Sequence, residues 1–136
     1  MSLFKVFDIA GSGMSAQSVR LNTTASNLAN ANSVSTTEEE AYRSRQPVFQ
    51  TALEQARGGA SAGVRVLGVV ESNATPQRLF EPGNPLADEQ GYVYKSNVNI
   101  AEEMANMISA SRSFQNNIEV LNTSKELMLR TLNLGR

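Results

Sequence analysis

Residues 100–132, IAEEMANMISASRSFQNNIEVLNTSKELMLRTL, decide the fold because their apolar residues recur at alternating spacings of four and three. Eight of the ten positions on this rhythm are apolar, and Ser111 and Lys125 are the exceptions. A repeat of 3.5 residues places such side chains in one seam along a helix that packs on a partner helix. Asn99 directly precedes the run and is a favoured N-cap residue. The apolar seam residues predicted to pack on a partner helix are Ile100, Met104, Met107, Phe114, Ile118, Leu121, Met128 and Leu132.

The first third of the chain has the same spacing, from residue 3 to residue 31. Seven of its nine seam positions are apolar, and Gln17 and Thr24 are the exceptions. Two helices of about 30 and 35 residues would each be about 45–50 Å long at 1.5 Å per residue. Such rods are too long to form a globule of 136 residues. The large seam residues predicted to pack are Leu3, Phe7, Met14, Leu21 and Leu28.

The sequence changes character between these two segments. The stretches 42–49 and 64–71 are rich in residues that favour β-strands, and the Gly58–Gly63 stretch between them predicts a loop. Pro82-Gly-Asn-Pro85 predicts a turn, and Gly91-Tyr-Val-Tyr94 predicts a short extended piece before the Asn99 cap. The middle of the chain is therefore expected to be a small, mostly extended insert.

These patterns predict a mainly α fold with a small β insert. The long N-terminal and C-terminal helices pair as an antiparallel, coiled-coil-like bundle, and an extended or β segment joins them. We expect an N-terminal helix over residues 1–35, an insert with loops over residues 36–98, and a C-terminal helix over residues 99–136. The two helical segments are expected to form one structural unit.

Charge and composition exclude several classes of function. The chain has 12 basic and 13 acidic residues, evenly spread, so no basic block favours nucleic acid or an anionic membrane as a partner. Cysteine and histidine are absent, which removes disulfides, thiolate nucleophiles and the commonest general base. We therefore predict no enzyme, no catalytic or metal site, no cofactor and no small-molecule substrate.

Short motifs that could suggest chemistry have simpler explanations. Ser2-Leu-Phe-Lys5 matches the Ser-x-x-Lys pattern of penicillin-binding enzymes, but the companion motifs are missing. Glu38-Glu-Glu40 has consecutive side chains, which diverge and favour a solvated loop or a helix N-terminus over a cation site. Glu102 and Glu103 lie 100° apart on a helix, so we interpret them as first-turn carboxylates near the positive end of the helix dipole.

The start of the chain does not predict a membrane or secretory segment. Lys5 and Asp8 interrupt the apolar residues before a signal-peptide core of 7–15 residues could form. The apolar runs are also shorter than the roughly 20 residues that a membrane-spanning helix needs. We expect no membrane insertion and no cleavable signal peptide.

The polar face of the N-terminal helix lacks charge. Residues 9–36 contain one charged residue, Arg20, and their other polar residues are Ser, Thr, Asn and Gln. These types favour helix only weakly, because their side chains compete for backbone hydrogen bonds. We therefore expect this face to be buried against other subunits, and the N-terminal third to be largely disordered in dilute monomer. The alternative is an intramolecular helical hairpin with a polar outer face.

Two stretches resemble the bacterial flagellar rod and hook family. Ser12-Gly-Met-Ser-Ala-Gln-Ser-Val-Arg-Leu21, followed by Asn27-Leu-Ala-Asn-Ala-Asn32, is similar to its N-terminal signature. The stretch from Gly91 to Gln115, with Asn-Val-x-x-x-Glu-Glu-Met inside it, is similar to its C-terminal signature. The two regions, 1–35 and 82–136, cover 90 of 136 residues, and the short middle is most similar to proximal-rod members.

The resemblance implies a structural subunit of the flagellar basal-body rod in the periplasm. Its implied partners are copies of itself, sister rod proteins and the flagellar type III export apparatus. A soluble helical adaptor or chaperone for secreted axial proteins is the alternative, and an unrecognised hydrolase is a third hypothesis. The motif residues implied at subunit interfaces are Asn27, Leu28, Asn30, Asn32, Glu102 and Glu103.

Overall fold

The computed structural model describes residues 3–56 and 59–134, with side chains for residues 4–52 and 62–134. In this part of the chain, one long helix precedes a β insert and a second long helix follows it. The predicted fold class is confirmed. The elements are α1 (Leu3–Ala29), β1 (Val34–Ser35), β2 (Arg45–Ala56), β3 (Gly59–Glu71), β4 (Gln77–Phe80), β5 (Tyr92–Lys95) and α2 (Ile100–Leu134).

The two helices lie side by side and antiparallel. Arg20 Nη2 on α1 donates to Asn106 Oδ1 on α2 at 3.0 Å. Further towards the start of α1, a Cβ added at Gly13 would lie 3.0 Å from the Nδ2 atom of Asn117 on α2. Glycine at position 13 therefore permits the close approach of the helices. In this register Leu3 lies level with a residue near position 125, so about the last two turns of α2 extend beyond it.

Side chains form hydrogen bonds with the helix backbone at the start of α2 and inside both helices. Asn99 Oδ1 accepts hydrogen bonds from the backbone N–H groups of Ala101 (3.1 Å) and Glu102 (3.3 Å), which confirms the predicted cap of α2. In both helices a threonine hydroxyl also donates to the carbonyl one turn earlier: Thr23 to Val19 in α1 and Thr131 to Leu127 in α2, each at 2.8 Å. Such bonds back to the helix are typical of a segment with low helix propensity.

Strands β2 and β3 form a long antiparallel hairpin. Their register runs from Arg45 opposite Glu71 to Ala56 opposite Gly59, with a bulge between Val48 and Phe49. The loop predicted over 58–63 is wrong from residue 59 onward, because those residues pair in β3 with an extension of β2. Residue 58 lies outside the described residues.

The small residues in β3 serve close packing on α1. Ser12 Oγ accepts a hydrogen bond from the backbone N–H of Val64 at 3.0 Å. A Cβ added at Gly63 would lie 3.0 Å from the same oxygen. The glycine that suggested a flexible loop therefore lies in a strand, where it lets the hairpin approach the helix.

The second sheet has the strand order β1-β5-β4, and both of its pairings are antiparallel. The predicted turn at 82–85 is present, with the N–H of Asn84 bonded to the carbonyl of Glu81 at 3.0 Å. Gly91 has a φ of 81°, a left-handed conformation that glycine adopts without strain. The predicted extended piece follows it as β5.

The interior of the described chain contains small side chains. The fully buried apolar residues are Ala10, Ala16, Ala31, Ala41, Val93 and Ala110, whereas many Leu, Ile, Phe and Met side chains are exposed. A folded chain normally buries its large apolar residues first. The described fold therefore leaves much apolar surface for contact with other molecules. None of its helices has both the length and the apolar character needed to span a bilayer.

Candidate assembly surface

The most buried residues of the two helices are small or polar. On α2 the buried residues are Glu103, Ala110 and Ser124, at multiples of seven, and Asn117 completes the series beside Gly13. Each of these four residues comes one position before a predicted seam residue, at 104, 111, 118 and 125. The buried residues of α1 are Ala10, Ala16, Thr23, Thr24 and Asn27.

The predicted seam residues divide into two groups. On α1, Phe7, Met14, Leu21 and Leu28 are half-buried. The side chain of Leu3 lies outside the described residues. On α2, the half-buried residues are Met107, Phe114, Leu121 and Met128. The exposed predicted residues of α2 are Ile100 (42%), Met104 (54%), Ile118 (37%) and Leu132 (64%).

The exposed members share one face of α2, which we call the outer apolar stripe. It comprises Ile100, Met104, Ile118 and Leu132, together with Leu129 on the same face (51% exposed), and the exposed Lys125 lies among them. Because successive helix residues are 100° apart, a shift of one residue turns these side chains away from α1. A different face carries Arg112, Glu119, Glu126 and Arg130, of which Glu126 and Arg130 form an exposed i,i+4 pair at 3.9 Å. Thus α2 has a face towards α1, a charged face and an uncovered apolar face.

Asn27 is the centre of a buried polar junction between α1 and the start of the hairpin. Its side chain is fully buried. Its Oδ1 accepts from the Tyr42 hydroxyl at 3.0 Å and from the N–H of Arg45 at 2.9 Å. Its Nδ2 donates to the carbonyl of Arg45 at 2.8 Å and lies 3.5 Å from Ser44 Oγ. This amide fixes where the chain leaves the helical layer to enter β2.

Glu103 continues the junction on α2. The residue is 2% exposed, and its Oε1 accepts from Gln46 Nε2 at 3.0 Å, with Ser44 Oγ at 3.5 Å. Its Oε2 is buried and has no hydrogen-bond partner among the described residues. Glu102, in contrast, is exposed in the first turn. Both glutamates lie in the first turn of α2, as interpreted from the sequence, but the side chain of Glu103 points into the protein.

The remaining motif residues are less buried than Asn27 and Glu103. Leu28 and Asn30 are half-buried, and Asn30 Nδ2 donates to the carbonyl of Ser26 at 2.9 Å. Asn32 is exposed. Asn97 also belongs to the junction, since its Oδ1 accepts from the N–H of Ser44 at 2.7 Å. The sequence did not indicate Tyr42, Ser44, Gln46 and Asn97, because their partners lie far away along the chain.

The hairpin presents further uncovered apolar surface. Phe49, Val64, Leu67, Val69 and Val70 are each at least 38% exposed. No group of three or more acidic side chains in the described chain is placed to hold a metal ion.

Two family models match the segments that contain the helices. Residues 7–35 match the flagella basal body rod protein model, and residues 89–134 match the flagellar basal body rod FlgEFG protein C-terminal model. These segments coincide with most of α1 and with β5 and α2.

Curated relatives extend the match to the whole chain. It is 55% identical to the flagellar basal-body rod protein FlgC of Salmonella typhimurium, over 136 residues and the full length of both chains. The chain belongs to the FlgC family. Identity to the FlgC of Escherichia coli O6:H1 is 54% over the full length, and to that of Buchnera aphidicola from Schizaphis graminum it is 40%, with 99% of each chain covered. The predicted family and the structural role in the flagellar rod are confirmed.

Proposed function

We propose that this FlgC-family chain is an axial subunit of the proximal rod, which assembles helically with copies of itself and with sister rod proteins. The observation that carries the proposal is the outer apolar stripe of α2. Its five residues, Ile100, Met104, Ile118, Leu129 and Leu132, are 37–64% exposed. Burying one Leu or Ile side chain contributes about 1.5–3 kcal/mol, so covering this stripe favours association strongly.

The end of α2 supports the same conclusion. Val120, Leu127 and Leu134, spaced by seven residues, are 45%, 52% and 86% exposed on the side opposite the stripe. A helix that is apolar on several sides is normally enclosed by other elements. About two turns of this end extend past the start of α1, so neighbouring subunits would have to enclose it.

These surfaces differ from one another, which determines the type of assembly. When a surface binds a different surface on the next copy, and the rotation between copies does not close, the product is a helical filament. Long helices near the axis with β inserts outside them would form such a rod. The proposal assigns the chain no catalytic activity.

The location and export route are part of this proposal. Membership of the FlgC family supports a place in the basal body, which we assign to the periplasm. We further propose export through the flagellar type III apparatus.

Intact basal bodies isolated from flagellated cells test the proposal. We expect the chain to co-purify with the rod, as detected by mass spectrometry and by antibody labelling under negative stain. We also expect cells without the chain to lack complete rods. A chain that remains with unassembled axial proteins and is missing from basal bodies would instead support the adaptor or chaperone alternative.

A further inference from the structure

The β2–β3 hairpin has an edge that lies away from α1. The N–H of Val64 in β3 donates to Ser12 Oγ on α1, so the outer edge of β3 faces the helix at this level. Thr51 of β2 lies directly opposite Val64. Two opposite residues of an antiparallel ladder exchange both backbone bonds or neither. The N–H and carbonyl of Thr51 therefore point away from β3, towards the outer edge of β2.

The outer edge of β2 is a row of backbone groups without a strand beside it. Alternation along the strand gives Phe49 and Leu53 the same outward direction as Thr51. Among the described strands, β3 is the one neighbour of β2. Pro47 has no N–H and is tolerated in a strand at such an edge. We call the backbone of residues 49–53 the β2 edge.

The β2 edge lacks the usual protection against other strands. Folded proteins block open edges with charged side chains, prolines or bulges, because an open edge pairs readily with another chain. Pro47 and the bulge between Val48 and Phe49 lie at the start of the row. Residues 46–53 contain no charged residue, and Phe49 is 38% exposed. The β2 edge is thus open to a further strand.

Strand β4 provides a second open edge, in the other sheet. The N–H of Tyr92 donates to Asp88 Oδ1 at 2.9 Å, and its carbonyl accepts from the N–H of Asp88 at 2.8 Å. Neither group of Tyr92 is therefore bonded to Phe80, the residue opposite it in β4. The backbone groups of Phe80 and, by alternation, of Arg78 point away from β5. Because β4 is the last strand in the order β1-β5-β4, this side has no described partner strand.

The side chains of β4 leave its outer edge accessible. The guanidinium group of Arg78 lies over the ring of Tyr92, 3.7 Å from the ring centroid, and donates to Gln90 Oε1 at 2.9 Å. This charge is therefore held towards β5. Phe80 is 62% exposed. We call the backbone of residues 77–80 the β4 edge.

We propose that the β2 edge of one copy pairs with the β4 edge of the next copy, so that the hairpin and the three-stranded sheet become continuous across the subunit boundary. A row of outward N–H and carbonyl groups at every second residue matches the same row on another strand. A helix offers no such row, because its backbone groups bond within the helix. This inference rests on the proposed function, because the partner is another copy in the rod.

The pairing of two different edges also fits the type of assembly. A β2 edge on another β2 edge would be a two-fold contact, which closes as a dimer. A β2 edge on a β4 edge leaves one free edge of each kind at the two ends of the pair. Further copies can then be added in the same direction, as a helical rod requires.

Cysteine cross-linking in isolated basal bodies tests the inference. The chain contains no cysteine, so introduced thiols are the only ones in it. Thr51, on the β2 edge, and Gln77, on the β4 edge, both have exposed side chains. We expect the chain with both Thr51→Cys and Gln77→Cys to form covalent multimers with a short bismaleimide, detected by immunoblot. Chains with either substitution alone should remain monomeric.

Each other result contradicts the inference. Dimers from Thr51→Cys alone would show that β2 edges pair with each other, and a double variant without multimers would show that the β2 and β4 edges are apart. If the chain were missing from basal bodies, the proposed function would fail. If it were present without these cross-links, only this inference would fail.

Proline substitution gives an independent test. Thr51→Pro removes an N–H that the hairpin itself does not use and obstructs pairing with a further strand, whereas Thr51→Val keeps the N–H. We expect Thr51→Pro to lower the amount of chain in basal bodies at least about tenfold relative to Thr51→Val, after both are normalised to cellular abundance. Equal incorporation of the two chains would overturn the inference. The cross-linked chains keep every backbone N–H, so their result holds even if proline weakens the hairpin.

Discussion

At the scale of single residues, the polar junction is what joins the helices to the insert. The Asn27 amide forms bonds to the backbone on both sides of Arg45 and to the Tyr42 hydroxyl. These partners lie 15 to 18 residues away along the chain. A fully satisfied buried amide specifies one geometry, because any other placement would leave its groups unpaired.

Replacing Asn27 should therefore weaken the assembled protein. Asn27→Ala leaves the N–H and carbonyl of Arg45 without their partner and leaves the Tyr42 hydroxyl only its contact with Ser26 Oγ, which we expect to cost about 2–3 kcal/mol. The measurement is the urea concentration at which the chain is extracted from isolated basal bodies. We expect a lower concentration for this variant.

Asn116→Ala is the matched control, since Asn116 is an exposed helix residue and the same substitution improves helix propensity there. Its extraction should resemble that of the wild-type chain. Equal extraction of the Asn27→Ala and Asn116→Ala chains would show that the junction does not stabilise the rod subunit.

At the scale of elements, α2 shows how one helix serves two contacts. Its buried residues, Glu103, Ala110 and Ser124, and Asn117 beside Gly13 are small or polar; Glu103 bonds to Gln46, and Asn117 lies against α1. Its large apolar residues flank these residues or lie on the outer apolar stripe. The N-terminal helix matches it with Gly13 and buried alanines and threonines. The pair thus keeps much of its apolar surface for neighbouring subunits.

Adjacent residues on α2 allow this division to be tested. Ile118 belongs to the outer apolar stripe, and Glu119 belongs to the charged face. Ile118→Gln should reduce the incorporation of the chain into basal bodies by at least about tenfold, because it removes about 1.5–3 kcal/mol of apolar burial at the interface. Incorporation is measured by quantitative mass spectrometry of purified basal bodies.

Glu119→Gln changes the neighbouring position to the same residue and should leave incorporation close to that of the wild-type chain. If both variants assembled equally well, the outer apolar stripe would not be a subunit interface.

At the scale of the whole molecule, the chain has little interior of its own. Val93 and Asn27 are the largest fully buried side chains in the described part. The low charge of residues 9–36 and the many exposed apolar residues on α2 and the hairpin indicate a fold that is completed by its neighbours. The expected disorder of the N-terminal third in dilute monomer remains a prediction.

Circular dichroism and backbone NMR of dilute monomer test this expectation. We expect a helical signal close to that of the 35 residues of α2 alone, with the 27 residues of α1 contributing little. Gly11→Ala should raise the helix content of monomer, since a Cβ at position 11 meets no atom within 4 Å and alanine favours helix by about 1 kcal/mol. A fully formed helix over residues 3–29 in isolated monomer would contradict the expectation.

The sequence by itself determined the two helices, the Asn99 cap, the 82–85 turn and the family, because these depend on local periodicity, local hydrogen bonds and contiguous motifs. Only the tertiary structure decided which face of each helix meets the other. A shift of one residue rotates a helix face by 100°. Apolar residues that pack on the partner helix of the same chain have the same spacing as those that pack on a neighbouring subunit, so the spacing does not distinguish the two contacts. The structure likewise placed Gly63 in a strand and turned Glu103 inward. Both depend on contacts with residues distant in the chain, Ser12 for Gly63 and Gln46 for Glu103, which spacing along the sequence does not record.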